Sequence, residues 1–290
     1  MFRGSIPALV TAFRGEALDE GEHRRHVDWQ ITEGSHALVP CGTTGEAATL
    51  NRDEHLRVVQ VTVDEAAGRV PTIAGVGGND TRTVIDMMKA VADLGARAAL
   101  AVVPYYNRPN QDGIYAHYAA LAEASPLPIV VYNVPGRTVA DISVETLARV
   151  AALPSVVGIK DATGNLARVS AQRLACKSGF AQLSGNDDMA LGFNAMGGVG
   201  CISVTANVAP RLCADFQNAC LSGNWEEALR LQDKLYPLHA ALFSDASPGP
   251  TKYALSRLRN YPRDLRLPMT PPSDASRRAV DVALAHAGLL

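Results

Sequence analysis

Three segments of the chain place chemically loaded side chains just after a short apolar run. They are Cys41-Gly42-Thr43-Thr44-Gly45-Glu46, Val131-Tyr132-Asn133-Val134-Pro135-Gly136-Arg137 and Val157-Gly158-Ile159-Lys160-Asp161. A lysine that follows an apolar run is expected to point into a site partly sealed from water, and seclusion from water favours a neutral amine. Imine chemistry needs that form: with an ordinary pKa near ~10.4, only about one lysine in 2,500 is neutral at pH 7, and only the neutral amine attacks a keto carbon. Tyr132, ending the preceding run, can sit beside Lys160 and shuttle the protons that form a carbinolamine and expel water. The Thr43 hydroxyl can hold that phenol and relay its proton. Gly42 and Gly45 let backbone come close, and free N–H groups beside Thr43 and Thr44 suit a carboxylate. Arg137 is placed to clamp a second carboxylate with two parallel hydrogen bonds, which lysine does not imitate. Each residue also has a plainer reading: Lys160 in a buried ion pair with Asp161 or Glu46, Tyr132 and Thr43 as structural groups, Arg137 as a surface arginine. Taken alone, Lys160 favours neither.

The elements that must position these groups are legible as an alternation. Eight β-branched or small apolar runs, bounded by Gly, Pro, Asn or Asp, are separated by helix-like segments: 6–12, 37–41, 72–76, 98–104, 129–133, 156–160, 181–185 and 199–204. That pattern predicts a parallel sheet covered by helices. Asn51 with Glu54 three residues on reads as a capping box before a helix whose Leu56, Val59 and Val63 share a face. Val84, Met87, Met88 and Val91 repeat the spacing before Gly95 stops the helix. Eight strands each followed by a helix predict a (β/α)8 TIM barrel, and no G-x-G-x-x-G turn follows the first strand to favour an open sheet. In such a barrel the site is built at the carboxyl ends of the strands. From Asn224 the β-signals stop. Asn224 and Glu227 cap a helix that Pro237 is expected to kink, and Ser247-Pro248 and Ser273 mark two further helix starts. The expected organisation is a catalytic barrel over residues 1–223 and a C-terminal helical domain over 224–290, serving assembly more than chemistry.

Composition narrows the partners. Hydrophobic residues make up 47% of the 290 and charged residues 19%, enough to bury a large core and far from a disordered composition. With 27 basic against 29 acidic residues the net charge is -2, and no Lys/Arg run offers a surface for nucleic acid or an anionic membrane. A small molecule is the expected partner. Apolar runs such as 98–103 fall far short of the roughly 20 residues of a membrane helix, and no signal-peptide core is evident, so a cytoplasmic location is expected. The five cysteines (Cys41, Cys176, Cys201, Cys213, Cys220) form no C-x-x-C pair. They are expected to be reduced, buried small hydrophobes rather than a disulfide framework or a zinc site. His23 and His26 share a helix face without a third ligand, and are expected to be solvated surface histidines.

Taken together, the three site segments, the second extended through Thr138, closely resemble the dihydrodipicolinate synthase family of the N-acetylneuraminate lyase, class I aldolase superfamily. Pro104-Tyr105-Tyr106-Asn107-Arg108-Pro109, Ser184-Gly185-Asn186-Asp187 and Gly197-Gly198-Val199-Gly200-Cys201-Ile202-Ser203 are also similar to its motifs. The resemblance spans the chain from first strand to last. It implies condensation of pyruvate with aspartate semialdehyde in the diaminopimelate route to lysine, with no metal or organic cofactor. It further implies that Lys160 carries pyruvate as an imine, and that Tyr132, Thr43 and Tyr106 form a proton relay, Tyr106 reaching into a neighbouring subunit of a tetramer built as a pair of dimers. Thr44 would hold the pyruvate carboxylate, Arg137 the semialdehyde carboxylate, and backbone at Gly185 and Ile202 would line the pocket. His55, Asn79 and Tyr105 match the family's regulatory lysine site, but Thr83 stands where inhibitable members often have Glu and Arg52 replaces a His, so weak or absent inhibition by lysine is expected. N-acetylneuraminate lyases and keto-deoxy-sugar acid aldolases share the barrel, lysine and tyrosine; Arg137 and the two threonines favour the short, charged semialdehyde over a sugar acid. A catalytically silent paralogue that binds a keto acid is the remaining alternative.

Overall fold

The computed structural model describes residues 2–290. Its strands, in chain order, are β1 (Gly4–Pro7), β2 (Phe13–Arg14), β3 (Ala17–Leu18), β4 (Ile73–Gly75), β5 (Ala98–Val102), β6 (Ile129–Asn133), β7 (Val156–Asp161), β8 (Ala181–Ser184) and β9 (Gly200–Ser203). Seven of them form one parallel sheet in the order β1-β9-β8-β7-β6-β5-β4, while β2 and β3 make a small hairpin that the sequence reading did not foresee. Helices alternate with the sheet strands and cover the outside, as the hydrophobic periodicity predicts.

The sheet closes through residues 36–40. Single parallel bridges, Ala8 to Val39 and Leu38 to Thr72, tie this segment between β1 and β4. It is the second of the eight expected strands, and it forms isolated bridges rather than a ladder because prolines interrupt it. Pro40 has no N–H to donate, and Pro7 and Pro71 can only accept, from Val39 and Leu38 at 3.0 Å each. The result is a TIM barrel of eight staves with a C-terminal helical extension. Small and branched side chains fill the inside, among them Ile6, Ala37, Ile73, Ala98, Val130, Leu183 and Ile202.

Local signals act as expected at several helix ends. Asn51 and Glu54 form a reciprocal capping box ahead of the helix Arg52–Ala66. On that helix Val59 is buried while Leu56 and Val63 are only half-buried. Ser273 caps Asp274–His286, and Asn224 caps Trp225–Ala241. Pro237 lies inside that last helix, which continues through it. The carbonyl four residues back, on Asp233, loses its helical donor, and the His286 ring nitrogen lies 3.4 Å from it. The C-terminal helices share one apolar cluster with the last barrel helix: Cys213, Phe216 and Cys220 pack with Leu231, Leu235, Leu255 and Leu284. No helix among the described residues is long and apolar enough to cross a membrane. Cys41, Cys201, Cys213 and Cys220 are buried; Cys176 departs from expectation in being half-buried, with partial burial pushing its thiol up to about 11.

His23 and His26 are not solvated. Both are fully buried on the inner face of the helix Glu20–Thr32. His23 Nε2 lies 2.9 Å from the Thr62 hydroxyl, which itself donates to the Val58 carbonyl, and His26 Nε2 lies 3.1 Å from Asn207 Oδ1. Each ring therefore donates from Nε2. Desolvation lowers His23 from 6.5 to about 3 and His26 to about 4; His117, buried with its Nδ1 2.9 Å from the Thr81 hydroxyl, is also lowered to about 4. Below about pH 6.5 the unfolded chain therefore takes up protons that the folded chain refuses, and stability falls as pH drops toward 4. The expected loss is on the order of 1 kcal/mol per pH unit for each histidine. Thermal melts at pH 7 and pH 5 should show a clearly lower midpoint at pH 5, and equal midpoints would contradict the burial of these rings as neutral donors.

Candidate active site

The sheet register sets the central contact. Tyr132 on β6 pairs with Lys160 on β7, and Lys160 pairs in turn with Leu183 on β8. Tyr132 and Leu183 both belong to the apolar cluster inside the barrel, so Lys160 shares their inward face. The lysine is 6% exposed, and its Nζ lies 4.2 Å from the centre of the Tyr132 ring. Both carboxylates that offered it a plainer role are engaged elsewhere. Asp161 accepts from Thr163 Oγ1 at 2.6 Å, Gln172 Nε2 at 2.7 Å and the Arg168 guanidinium at 3.4 Å. Glu46 accepts from Lys252 Nζ at 2.5 Å. Lys160 is thus a sheltered amine with a phenol beside it and no ion pair among the described residues.

Beyond Tyr132 opens a cleft of about 360 Å³ whose lining includes Thr43, His55, Thr83, Tyr105, Tyr132 and Arg137, while Lys160, Thr44, Gly185 and Ile202 lie outside that lining. Its lining contains no Asp or Glu. Arg137 is exposed at its wall and makes no ion pair among the described residues. Pro135 starts the single helical turn Pro135–Thr138 that carries it off the end of β6, and the Thr138 hydroxyl, 2.7 Å from the Ala140 carbonyl, closes that turn. A cleft whose formal charge comes from an arginine favours anionic ligands.

The threonine loop is a tight double turn, Gly45 N–H to the Gly42 carbonyl at 3.0 Å and Glu46 N–H to the Thr43 carbonyl at 3.1 Å. The N–H groups of Thr43 and Thr44 make no hydrogen bond among the described residues, as a carboxylate cradle requires. Thr44 is buried, and Thr43 faces the cleft without a direct hydrogen bond to the Tyr132 hydroxyl. Gly185 follows β8 with its N–H donated to the Asp161 carbonyl at 2.7 Å. A Cβ there would lie 2.7 Å from that of Ala162, so only glycine fits. Ile202 sits on β9 in register with Ile6.

Some expected residues are not gathered into the cleft. Tyr106 is 90% exposed, in a left-handed conformation at φ 70°, and does not reach its own cleft. Asn79 is exposed and lends its carbonyl to Asn107 at 2.9 Å, and Arg52 is exposed at the start of its helix. The sequence reading also passed over Asp187. This buried carboxylate accepts from the Ser203 hydroxyl and from the backbone N–H groups of Val204 and Thr205 at 2.9 and 3.2 Å, tying the end of β8 to the end of β9. Its place in the Ser184-Gly185-Asn186-Asp187 motif was the available signal.

A closed parallel barrel with a sheltered lysine and tyrosine on adjoining strand ends defines the class of lysine-bearing (β/α)8 barrels. Within that class the chain belongs to the dihydrodipicolinate synthetase family, whose sequence model matches residues 1–287. It is 67% identical over 290 residues to the 4-hydroxy-tetrahydrodipicolinate synthase of Rhizorhabdus wittichii, covering 100% of both chains. It is 63% identical over 291 residues to that of Zymomonas mobilis subsp. mobilis, again covering 100% of both. Among solved structures, it is similar to the chloride-inhibited, pyruvate-complexed dihydrodipicolinate synthase of Acinetobacter baumannii, with a TM-score of 0.98, 42% identity and 100% of both chains covered. The lysine-bound enzyme of Cyanidioschyzon merolae gives a TM-score of 0.96 at 37% identity, covering 100% of this chain and 99% of the other.

Proposed function

We propose that this chain condenses pyruvate with aspartate semialdehyde to give 4-hydroxy-tetrahydrodipicolinate, through an imine on Lys160. The observation that carries the reading is the Lys160 amine, buried, free of carboxylates and 4.2 Å from the centre of the Tyr132 ring, which itself lines a cleft without acidic residues. The neutral amine adds to the keto carbon of pyruvate, and the resulting carbinolamine loses its hydroxyl as water, with Tyr132 supplying and recovering protons. Loss of a methyl proton gives the enamine, which attacks the aldehyde carbon and forms the new carbon-carbon bond. The amino group of the semialdehyde moiety then adds to the imine carbon, the ring closes and Lys160 leaves. Thr44 and the loop N–H groups hold the pyruvate carboxylate, Arg137 holds that of the semialdehyde, and Gly185 and Ile202 contribute backbone to the wall. The residues present need no metal or organic cofactor for this sequence of steps.

Tyr106 joins the proton relay from a neighbouring subunit, which makes a homotetramer, a dimer of dimers in the cytoplasm, part of this reading. What supports it is a tyrosine held outward in a conformation unfavourable for a residue with a side chain.

The test has two stages. Incubation with pyruvate and borohydride, followed by mass measurement, should show one adduct on Lys160; an unchanged mass removes the imine reading. A coupled assay should then show turnover with aspartate semialdehyde and little with N-acetylneuraminate or keto-deoxy-gluconate. In the same assay Arg137→Ala should raise the semialdehyde KM by roughly 30-fold or more, the cost of about 2 kcal/mol for a lost charge-assisted clamp, with a smaller change in kcat.

Free lysine is expected to inhibit weakly or not at all. The cleft lining, which includes His55, Thr83 and Tyr105, offers no carboxylate for a ligand ammonium. Burial lowers the His55 imidazole pKa, and its Nε2 lies 2.7 Å from the Gly75 carbonyl. An inhibition curve with strong block at sub-millimolar lysine would overturn this part.

A further inference from the structure

Glu46, the last residue of the threonine loop, is held by a part of the chain more than two hundred residues away. Its Oε1 accepts from Lys252 Nζ at 2.5 Å and its Oε2 from the Arg266 backbone N–H at 3.1 Å. Lys252 lies on the helix Gly249–Arg259, its side chain wholly buried, and it also donates to the Asp264 carbonyl at 2.7 Å. Arg266 grips the next stretch, donating to the Thr49 carbonyl at 3.0 Å and to both oxygens of Glu54 at 2.8 and 2.6 Å. Both cations lie against one buried ring, Lys252 Nζ at 4.6 Å and the Arg266 guanidinium carbon at 4.3 Å from the centre of Phe13. The C-terminal extension thus fastens residues 46–54 at both ends.

The opposite side of the loop is fixed as well. The Thr11 hydroxyl donates to the Gly45 carbonyl at 2.7 Å, and a Cβ on Gly45 would come within 2.9 Å of the Leu9 carbonyl oxygen. Glu46 itself sits at φ 57°, a left-handed conformation that a residue with a side chain adopts only when its surroundings impose it. Thr43 and Thr44, whose N–H groups make no hydrogen bond among the described residues, are therefore suspended between Thr11 and an ion pair from the far end of the chain.

We propose that Lys252 is a positioning residue: its ion pair with Glu46 holds the Thr43-Thr44 loop in the geometry that receives the keto-acid carboxylate. This rests on the imine reading of Lys160. It assigns the C-terminal helices a part in substrate binding besides their packing, because the loop's backbone donors are aligned only while the pair is closed. A charge pair suits this task better than an apolar contact, since its donors and acceptors fix direction as well as distance.

The experiment compares Lys252→Met and the charge-free double variant Glu46→Gln/Lys252→Met with the parent, in the full-length chain. Borohydride trapping at graded pyruvate concentrations gives the half-saturation for the Lys160 adduct, thermal melting reports the fold, and the coupled assay gives the semialdehyde KM. The expected result is a pyruvate half-saturation raised about 10-fold or more in both variants, the adduct still reaching one per chain at saturation, and a semialdehyde KM within about 2-fold of the parent. The double variant should melt closer to the parent than Lys252→Met does, since it leaves no buried charge alone. Unchanged pyruvate half-saturation in either folded variant overturns the proposal. So does a parallel rise in the semialdehyde KM, which signals general damage. Failure of even the double variant to fold makes the pair a stability device and also overturns it. Absence of an adduct in the parent is a different result, because it removes the imine reading itself.

Discussion

Lys160→Ala is expected to lower kcat by about 10⁴-fold or more while leaving the thermal midpoint within about 5 °C of the parent. The first half follows from the chemistry: no lysine lines the cleft, so none there can replace the Lys160 nucleophile. The second half follows from the geometry. The amine has no ion pair, so its removal leaves no buried carboxylate without a partner, and Asp161 keeps its bonds to Thr163 and Gln172. Steady-state turnover and a melting curve on one preparation check both halves. Full activity in a verified Lys160→Ala chain would end the proposed mechanism, and a chain that fails to fold would show the lysine to be structural.

Tyr132→Phe is expected to lower kcat by roughly 10²- to 10⁴-fold, the span for loss of a positioned acid-base group. Phenylalanine keeps the ring that stands 4.2 Å from Lys160 Nζ, so shape and cation contact are retained and only the hydroxyl is lost. The defect should lie in imine formation. Single-turnover trapping with borohydride should show the Lys160 adduct appearing far more slowly, yet reaching the same final amount. An adduct that forms at the parent rate would assign the proton shuttle to another group.

What the sequence disclosed was set by local order, and what it concealed was set by contacts between distant segments. The strand ends at Tyr132 and Lys160 were readable because each closes a short apolar run, and the capping box was readable because its partners, Asn51 and Glu54, are three residues apart. The register that sets Tyr132 against Lys160 was an expectation from strand order, and pairing in the sheet decides it. His23 and His26 were misjudged for the same reason: their spacing shows a polar face, while the groups that satisfy them, Thr62 and Asn207, lie 39 and 181 residues away. Lys252 and Arg266 gave no signal, being ordinary cations on helix and loop until folding brings Glu46 to them across 206 and 220 residues. The second stave was legible by composition, but three prolines decide how few bonds it forms.

That stave has a bearing on how the scaffold tolerates change. Its bonds to the neighbouring strands end with the Pro40 carbonyl, which accepts from Gly75 at 3.0 Å, so residues 41–46 supply no rung to the cylinder. Thr43 and Thr44 can be remodelled with the backbone stitching around the circumference intact, whereas Gly45 and Glu46 are tied to Thr11 and Lys252. At the two threonines, ligand preference and architectural integrity are written in separate bonds.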